Sequence, residues 1–428
     1  MPIFAFGSNS SGQLGIGHLE DVSVPTRCLF STEGGEGNDD DDQQQTQLGK
    51  VVRIVAGGNH TVILFDSGAV YAAGCNENGR CGQFSSSCRS GSKEEDEGGK
   101  HQVPQSEKSG EEESPSSLLS FRRVILSLEE GKRKRVIKRF RAVSATWEAT
   151  FLVPARDNDN DEDNGDDEIF VLGTGTKGEL GLGPTQIDTA AGPAKVPNFP
   201  PRGTRIAALA SGMGHTVVVL SNGEVYGWGA ARKGQLGRSV LAAQKKIVWA
   251  PEKIDDDNIS FPATGAACGR EFTIITGPRE RGDFVILGSS DKWNIFSGAP
   301  QTVRGGSVSA SWHGIYVHES DLSVKAWGRN DRGQLPPPNF PRAAQIAVGS
   351  EHVVALLPDQ TVVAFGWGEH GNCGPETDAQ GNVNGRWNQI PLAVGEDARI
   401  VGVGAGCATS WIITSSQSDV PSGPVSDV

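Results

Sequence analysis

A glycine-rich phrase of twelve residues occurs seven times along this chain of 428 residues. The first copy runs from Phe4 to Gly15 (FAFGSNSSGQLG), and a typical later copy runs from Tyr226 to Gly237 (YGWGAARKGQLG). The other copies begin at Tyr71, Phe170, Val285, Lys325 and Val363. Repetition at this level constrains the fold more than any single residue does, because each unit must bury its apolar face against its neighbours.

A second recurring piece, in which two apolar runs flank a small-residue turn, precedes each later phrase. In its three clearest copies a histidine stands 14 residues before the first glycine of the next phrase: His60 and Gly74, His215 and Gly229, His352 and Gly366. This interval fits a strand, a tight turn and a second strand. In the other four copies we expect the place of the histidine to be taken by Glu148, Glu271, His313 and Cys407.

The order of the two pieces predicts a closed ring. The chain opens directly on the glycine-rich phrase, whereas the stretch from Ile400 to Thr414 has the apolar piece with no phrase after it. A linear solenoid would need polar caps at both ends, but a ring joins its first and last strands and leaves no edge exposed. The sequence therefore predicts an all-β fold, a single seven-bladed β-propeller over residues 1–414, closed by pairing of the N- and C-terminal strands.

Polar insertions account for much of the chain length. We expect disordered insertions at about residues 31–49, 85–117 and 156–168 and a flexible tail over 415–428, because such segments cannot bury enough apolar area to offset chain entropy. They carry much of the formal net charge of −13. One basic stretch, Lys132–Arg135, stands apart; it could contact phosphate or act as a nuclear address, or it could be a solvated loop that enters a strand.

Membrane and metal signals are weak in this sequence. No segment approaches the roughly 20 uninterrupted apolar residues that span a bilayer, and the N-terminus lacks a signal-peptide pattern. An odd count of seven cysteines agrees with a reducing compartment, so we expect a cytoplasmic and nuclear protein. Cys81 and Cys373 replace a repeat leucine and are predicted to be buried, and Cys75 is too far from Cys81 for a metal knuckle.

The residue pattern predicts no catalytic centre. The histidines His60, His215, His313 and His352 stand one to a blade, with no paired carboxylate or nucleophile beside them. A histidine repeated in a turn is better explained as a structural hydrogen-bonding group. We therefore expect no catalytic residue, metal, cofactor or small-molecule substrate.

The pattern AxGxxHT, a turn and YxWGxNxxGQLG resembles the repeat of the regulator-of-chromosome-condensation family of seven-bladed propellers. Within that family, the opening from Ile3 to Cys28 resembles the fungal alpha-tubulin suppressor type. This resemblance implies a non-catalytic propeller that pairs with a small CSL-type zinc-finger protein of diphthamide biosynthesis, which is a metal-binding electron carrier. The pair would support diphthamide synthesis on elongation factor two and Elongator-dependent modification of wobble uridines, with Elongator and tRNA as indirect partners.

Fold alone does not decide function, and two other classes stay open. One is guanine-nucleotide exchange on a small GTPase, the activity of the founding member of the family, which uses a wedge from one blade. The loops after Gly82 and Gly183 are the candidates, and neither has the clear character of a wedge. The other class is a substrate-recruiting propeller of a ubiquitin ligase, which would need its ligase domain on a separate chain.

Candidate partner-binding residues are large or charged groups where the repeat normally has small or polar ones, because interface centres favour such residues. The candidates are Trp147, Glu148, Trp293, Trp312, His313 and Trp367. Trp147 and Trp312 are expected at the turn position that Asn59 and Gly214 hold elsewhere, and Trp293 replaces a repeat glycine. These residues either line one propeller face and grip a partner, or fill gaps left by irregular blades.

Overall fold

The computed structural model of the protein describes residues 1–31, 48–83, 117–131, 133–156, 166–255, 257–392 and 398–416. Apart from one separate hairpin, their strands form seven mainly antiparallel sheets, the blades, around a central channel. Blades I to VII are numbered in chain order, and the first strand of each lies innermost. Inner strands of neighbouring blades contact one another from blade I to blade V and from blade VI to blade VII, and the inner strand of blade VII contacts that of blade I. The all-β, seven-bladed propeller predicted from the repeats is confirmed.

The first strands of the chain are β1 (Ile3–Gly7) and β2 (Val22–Arg27), which belong to blade VII, and β3 (Phe30–Ser31). Blade I contains β4 (Val51–Ala56), β5 (His60–Phe65), β6 (Val70–Cys75) and β7 (Ser117–Arg123), with β3 parallel to β7. A hairpin follows, formed by β8 (Leu126–Glu130) and β9 (Arg133–Ile137). Blade II contains β10 (Phe140–Ala145), β11 (Ala149–Pro154), β12 (Phe170–Gly173) and β13 (Ala194–Lys195).

Blade III contains β14 (Ile206–Ser211), β15 (His215–Leu220), β16 (Val225–Ala230) and β17 (Ile247–Lys253), with the short helix α1 (Arg238–Ala242) before β17. Blade IV contains β18 (Gly265–Cys268), β19 (Thr273–Thr276) and β20 (Phe284–Leu287). Blade V contains β21 (Ser307–Ala310), β22 (Gly314–His318) and β23 (Val324–Gly328). Blade VI contains β24 (Gln345–Val348), β25 (His352–Leu356), β26 (Val362–Trp367) and β27 (Asn382–Gln389). Finally, β28 (Ala398–Ala405) and β29 (Thr409–Ser416) supply the inner half of blade VII.

Both ends of the described chain meet in blade VII, whose strand order is β28-β29-β1-β2. Strand β1 pairs antiparallel with β29 from Ile3, opposite Ile413, to Gly7, opposite Thr409. The backbone amide of Thr414 also donates to the Pro2 carbonyl oxygen at 3.0 Å. These hydrogen bonds occupy two strand edges that would otherwise be open, so the predicted closure of the ring is confirmed.

Aromatic residues before the first glycine of a phrase fill the spaces between blades. Trp228 is fully buried in blade III, and its Nε1 donates to the Glu179 carbonyl oxygen in blade II at 2.9 Å. Gly181 lies against this indole, since a Cβ atom there would sit 3.0 Å from Trp228 Nε1, and its φ is +71°. The closing glycine of the phrase is therefore required by a close contact and a positive φ together. The other members of this aromatic set are Phe6, Trp327 and Phe365.

At three of the interfaces between neighbouring blades, which we call seams, a buried histidine forms a hydrogen bond with a hydroxyl of the next blade. His60 Nε2 lies 3.0 Å from Thr150 Oγ1 of the next blade, and that hydroxyl donates to the Arg80 carbonyl oxygen at 2.7 Å. Because the hydroxyl proton goes to the carbonyl, the imidazole must donate from Nε2. His215 with Thr273, and His352 with Ser410, repeat the arrangement at 2.9 Å. The prediction of structural histidines is confirmed at these three positions.

Strand register corrects one part of the sequence alignment. His60 pairs with Gly74, His215 with Gly229 and His352 with Gly366. In the other blades the first glycine of the phrase pairs with Ala149, Gly314 or Thr409, and extension of the Thr273–Leu287 pair places Phe272 opposite Gly288. The predicted residues were Glu148, His313, Cys407 and Glu271. The prediction was wrong by one or two residues, because hydrogen-bond pairing, and not similarity of side chains, fixes which residue faces the seam.

The cysteines at repeat-leucine positions lie in the apolar core. Cys81 is 1% exposed and packs in the cluster with Leu118 and Phe140, and Cys373 is fully buried beside Phe365. Burial raises the pKa of both thiols. Both therefore serve as small apolar groups, as predicted.

Parts of the predicted insertions lie among the described residues. Ser31 belongs to β3 and Ser117 opens β7, while residues 32–47, 84–116, 157–165 and 417–428 lie outside the described residues. Asp167 is buried: its carboxylate accepts from Arg156 Nη2 at 3.0 Å, from the Ile206 amide at 2.7 Å and from Arg141. Three donors to one carboxylate explain why the chain is anchored there before β12 begins.

Residues 133–135, the described part of the basic stretch, lie in β9, one strand of the β8–β9 hairpin. Lys132 lies outside the described residues, and Arg133 and Lys134 are exposed. Arg135 Nη2 lies 2.6 Å from Glu168 Oε2, and Lys195 Nζ lies 2.7 Å from Glu168 Oε1. Burial raises the pKa of Glu168, but the hydrogen bonds from these two cations outweigh it and leave that pKa lowered. Part of the basic charge is thus neutralised within the protein.

The seam histidines predict a steep loss of stability in acid. Burial lowers the pKa of His60 to about 3 and the pKa values of His215 and His352 to about 4. The unfolded chain, with histidine pKa values near 6.5, binds protons first as the pH falls. Stability is therefore complete above about pH 6.5 and declines towards pH 4, by about 1.4 kcal/mol per pH unit for each histidine.

Urea unfolding between pH 7.5 and 4.5 tests this expectation. The variant His215→Gln should lower the slope of unfolding free energy against pH by about 1.4 kcal/mol per unit. The matched control is His18→Gln, a change at a surface histidine. An unchanged slope in His215→Gln would show that this imidazole is not held neutral in the seam.

Candidate functional site

The turns between the first and second strands of the blades surround one mouth of the channel. We call the equivalent residues of these turns the inner-turn ring: Gly58, Trp147, Met213, Arg270, Trp312, Ser350 and Cys407. All of them except Gly58 and Arg270 line the channel. Main-chain hydrogen bonds join neighbours in this ring, from the Gly58 amide to the Trp147 carbonyl at 2.8 Å and from the Trp147 amide to the Met213 carbonyl at 3.0 Å. Trp147 and Trp312 therefore stand at the position of Gly58 and Met213, one residue earlier than predicted.

Two tryptophans from well-separated blades meet at this mouth. The ring centroids of Trp147 in blade II and Trp312 in blade V are 5.8 Å apart. The indole of Trp147 lies over Gly58, where a Cβ atom would sit 2.5 Å from Trp147 Cε2. The Arg270 guanidinium lies 5.4 Å from the Trp312 ring, which is a cation–π distance. The two indoles line the channel mouth, and the Arg270 guanidinium places a positive charge beside them.

Trp147 and Trp312 are not part of the apolar core. Both are half-buried, and neither belongs to any of the apolar clusters formed by the described residues. Large aromatic groups that contribute area without core packing are typical of interface centres. Their position favours a contact surface over gap filling.

Glu351 organises the part of the site beside Trp312. Its carboxylate lies 2.8 Å from His313 Nδ1, accepts from Gln334 Nε2 at 2.7 Å and lies 3.4 Å from Arg329 Nη1. The side chain is 5% exposed. Burial raises the pKa of this carboxyl, but the hydrogen bonds from His313 and Gln334 outweigh it and leave the pKa below its usual range. Glu351 is therefore an ionised, fully partnered anchor that fixes the imidazole of His313.

Trp293 and Trp367 flank this anchor. Trp293 packs partly against the core of blades IV and V, and the Arg329 guanidinium and Lys292 ammonium lie 5.1 and 4.8 Å from its ring. Its ring centroid is 6.3 Å from that of His313. The Trp367 amide donates to the Glu351 carbonyl oxygen at 2.9 Å, and the Trp367 ring lies 5.5 Å from the Arg332 guanidinium. Trp293 thus packs partly into the core and stays partly exposed, whereas Trp367 belongs to none of the apolar clusters of the described residues.

A groove of about 530 Å³ begins at Trp147 and Glu148 and extends between blades II, III and IV. Glu148 is exposed at its edge. The cations that line the groove are Lys177, Arg232, Lys233, Lys246 and Arg270, and the acids are Glu148, Glu179 and Glu271. The groove is thus more basic than the whole chain, whose net charge is −13.

The structure brings all six predicted site residues to one side of the ring. We call the surface formed by Trp147, Glu148, Trp293, Trp312, His313 and Trp367 the tryptophan face. Contacts connect its members through the Trp147–Trp312 pair, the Trp293–His313 pair and the Glu351 anchor. Sequence reasoning missed Arg270, Arg329 and Glu351. The available signal was a departure from the repeat, since Glu351 stands where Asn59 and Gly214 stand in their blades.

Within the part of the chain that the structure describes, no group of three or more His, Cys, Asp or Glu side chains could hold a metal ion. None of the described helices is long and apolar enough to cross a bilayer.

The Glu351 anchor yields a stability prediction. Glu351→Gln should lower the unfolding free energy by about 1–3 kcal/mol, because the change leaves buried donors without a charged acceptor. Urea unfolding measures the difference, and Glu280→Gln, in an exposed loop, is the control. Equal stability of the Glu351 variant and the unaltered protein would contradict the anchoring role.

These features define a propeller of the scaffold class, a rigid ring with a built surface at one channel mouth. The RCC1-like domain profile matches residues 2–412, and the chain belongs to this family.

Comparisons with individual proteins agree with that assignment. The chain is 26% identical over 419 residues to an RCC1 repeat-containing protein of Schizosaccharomyces pombe, with 96% of this chain and 98% of that protein covered. It is 24% identical over 462 residues to the secretion-regulating guanine nucleotide exchange factor of Mus musculus, with 96% and 83% covered. The crystal structure of human WBSCR16 matches with a TM-score of 0.66 at 15% identity, covering 97% of this chain and 99% of that one, which shows the fold alone.

Proposed function

We propose that this protein is a non-catalytic scaffold that binds a small protein partner through the tryptophan face. The observation that carries the proposal is the Trp147–Trp312 pair, two half-buried indoles held by main-chain hydrogen bonds outside the apolar core. Because the ring fixes both indoles before binding, little conformational entropy is lost when a partner covers them. Preorganised aromatic groups of this kind are the usual centres of binding energy.

The partner that we propose is a small CSL-type zinc-finger protein of diphthamide biosynthesis. The resemblance of Ile3–Cys28 to the fungal alpha-tubulin suppressor type supports this choice, and a fungal relative matches the chain over nearly its full length. In this complex the propeller would hold the partner and control access to its metal. Diphthamide synthesis and Elongator-dependent tRNA modification, in cytoplasm and nucleus, would then depend on the pair, with Elongator and tRNA as indirect partners.

Charge on the face indicates the chemistry of the partner surface. Arg270 and Arg332 lie 5.4 and 5.5 Å from tryptophan rings of the face, whereas Arg329, 5.1 Å from Trp293, is already paired with Asp331 and Glu351. Arginine beside tryptophan favours a partner that offers carboxylates around an apolar patch. Such pairing would increase the association rate more than the affinity and would weaken with added salt.

Guanine-nucleotide exchange on a small GTPase is the second candidate, favoured by the name of the mouse relative. Of the two candidate wedge loops, the one after Gly82 continues into residues 84–116, outside the described residues. The loop at Gly183 is tied down, since the Gly183 amide donates to the Trp249 carbonyl oxygen at 2.9 Å. A nucleotide-release assay on purified small GTPases separates the two functions, because a scaffold leaves the release rate unchanged.

Trp312→Ala tests the scaffold function directly. It should weaken binding of the purified CSL-type protein by more than about 1 kcal/mol in calorimetry, since it removes one half of the indole pair. The fold should survive, because Trp312 lies outside the apolar clusters.

The matched control is Trp249→Ala, which removes a half-buried indole on the outer strand β17, away from the inner-turn ring. Equal affinities of the Trp312 variant and the unaltered protein would place the binding surface elsewhere. If neither protein binds the CSL-type partner, mass spectrometry of complexes captured from native extract distinguishes a small GTPase from another small partner.

A further inference from the structure

Behind the tryptophan pair, the axial channel encloses about 220 Å³. Its walls consist mainly of small side chains from the inner strands and turns, including Ala56, Ser144, Ser211 and Ala310. Among these wall residues Arg53 is the only charged one, and it also lines the opening at the opposite mouth. That opening, of about 510 Å³, is lined by Lys50 and Met1 as well, and its described lining residues include no carboxylate side chain.

Arg53 has an unusual environment for a cation in an acidic protein. In the described ranges no ion pair or hydrogen bond joins its side chain to a carboxylate. Water reaches the guanidinium through the open mouth, yet the surrounding walls lower its pKa. Arginine does not lose its proton in proteins, so it cannot relieve this cost by becoming neutral. An anion from solution can relieve it.

A second polar group in the same channel lacks a partner. Thr146 lines the wall and is 1% exposed, and its Oγ1 has no hydrogen-bond partner among the described residues. Two other hydroxyls of the wall are already used, because Ser144 donates to Ser211 at 2.8 Å and Ser211 lies 2.9 Å from Thr216 Oγ1. Among the described residues the channel wall thus contains one cation and no carboxylate, together with an enclosed Thr146 hydroxyl that has no partner.

We propose that the axial channel is a binding site for a small oxyanion, with the Arg53 guanidinium as its counter-ion. The size of the channel selects the class of ligand, because drug-sized ligands need pockets of roughly 300–1,000 Å³. Phosphate or a short carboxylate fits the channel of about 220 Å³, whereas a nucleotide or a peptide exceeds it, although the opening of about 510 Å³ lies within the drug-sized range. The ligand enters at the mouth lined by Arg53 and Lys50, because the Trp147–Trp312 pair covers the other one. This site is independent of the partner proposed for the tryptophan face.

Calorimetric titration of the full chain with inorganic phosphate, sulfate or malonate, at constant ionic strength set with chloride, tests the site. We expect saturable binding of at least one oxyanion, weakened about tenfold or more in Arg53→Gln because a charge-assisted contact is lost. Arg202→Gln, which removes an exposed arginine outside the channel, should bind as the unaltered protein does. Preference between phosphate and malonate identifies which oxyanion source the site accepts.

Thermal unfolding provides a second readout. In chloride alone Arg53→Gln should be at least as stable as the unaltered protein, because it removes an unpaired cation, and it should lose the rise in Tm that the oxyanion produces. Arg53→Lys keeps the charge and should retain part of the rise in Tm. This variant replaces Arg53→Gln in the comparison if the glutamine variant does not fold. Absence of saturable binding to the unaltered protein, or equal binding by Arg53→Gln, would overturn the proposal.

Discussion

Pairing of β1 with β29 is the constraint on which the other features of this propeller depend. It places Gly7 opposite Thr409, as Gly74 stands opposite His60 in blade I. Blade VII therefore keeps the register of the other blades although two separate parts of the chain build it. Without that register its turn at Cys407 would not complete the inner-turn ring, and the inner strands would not enclose a channel. Site geometry at the centre thus depends on hydrogen bonds between the two ends of the sequence.

The seams explain why histidine occurs in only three copies of the repeat. Each of His60, His215 and His352 uses a hydroxyl of the following blade, and those following blades carry Ala149, Phe272 and Thr409 in the same place. In blades II and V the place of the histidine is taken by Ala149 and Gly314, and these are the blades whose turns carry Trp147 and Trp312. The repeat therefore places seam residues and face residues two positions apart on one turn. A blade can change one without the other, which is how a regular ring acquires an irregular surface.

Repetition made the fold predictable, and departures from repetition indicated the face, but neither could give register or pairing. The segments 147–149 (Trp-Glu-Ala) and 312–314 (Trp-His-Gly) were aligned one residue out of register. In the second segment His313 has the residue type of the repeat histidine, but Gly314 takes its position in the strand pairing. Glu351 could not be recognised as an anchor, because its three partners come from separate parts of blade V. Arg53 looked like an ordinary charged residue on a half-exposed strand. Its significance lies in the absence of acids among the described wall residues, which come from several distant segments, and no local pattern encodes this.

The two mouths of the channel differ in chemistry although the inner strands are alike. Indoles and arginines surround one mouth, whereas Arg53, Lys50 and the exposed side chains of Val52 and Val401 line the other. A protein partner and a small oxyanion can therefore occupy opposite ends at the same time. The two are linked only if the partner moves Trp147 or Trp312, which line the channel as well as the face. In that case each ligand must change the affinity of the other by the same factor, so the salt composition of a binding assay would alter the measured affinity for the partner beyond simple screening.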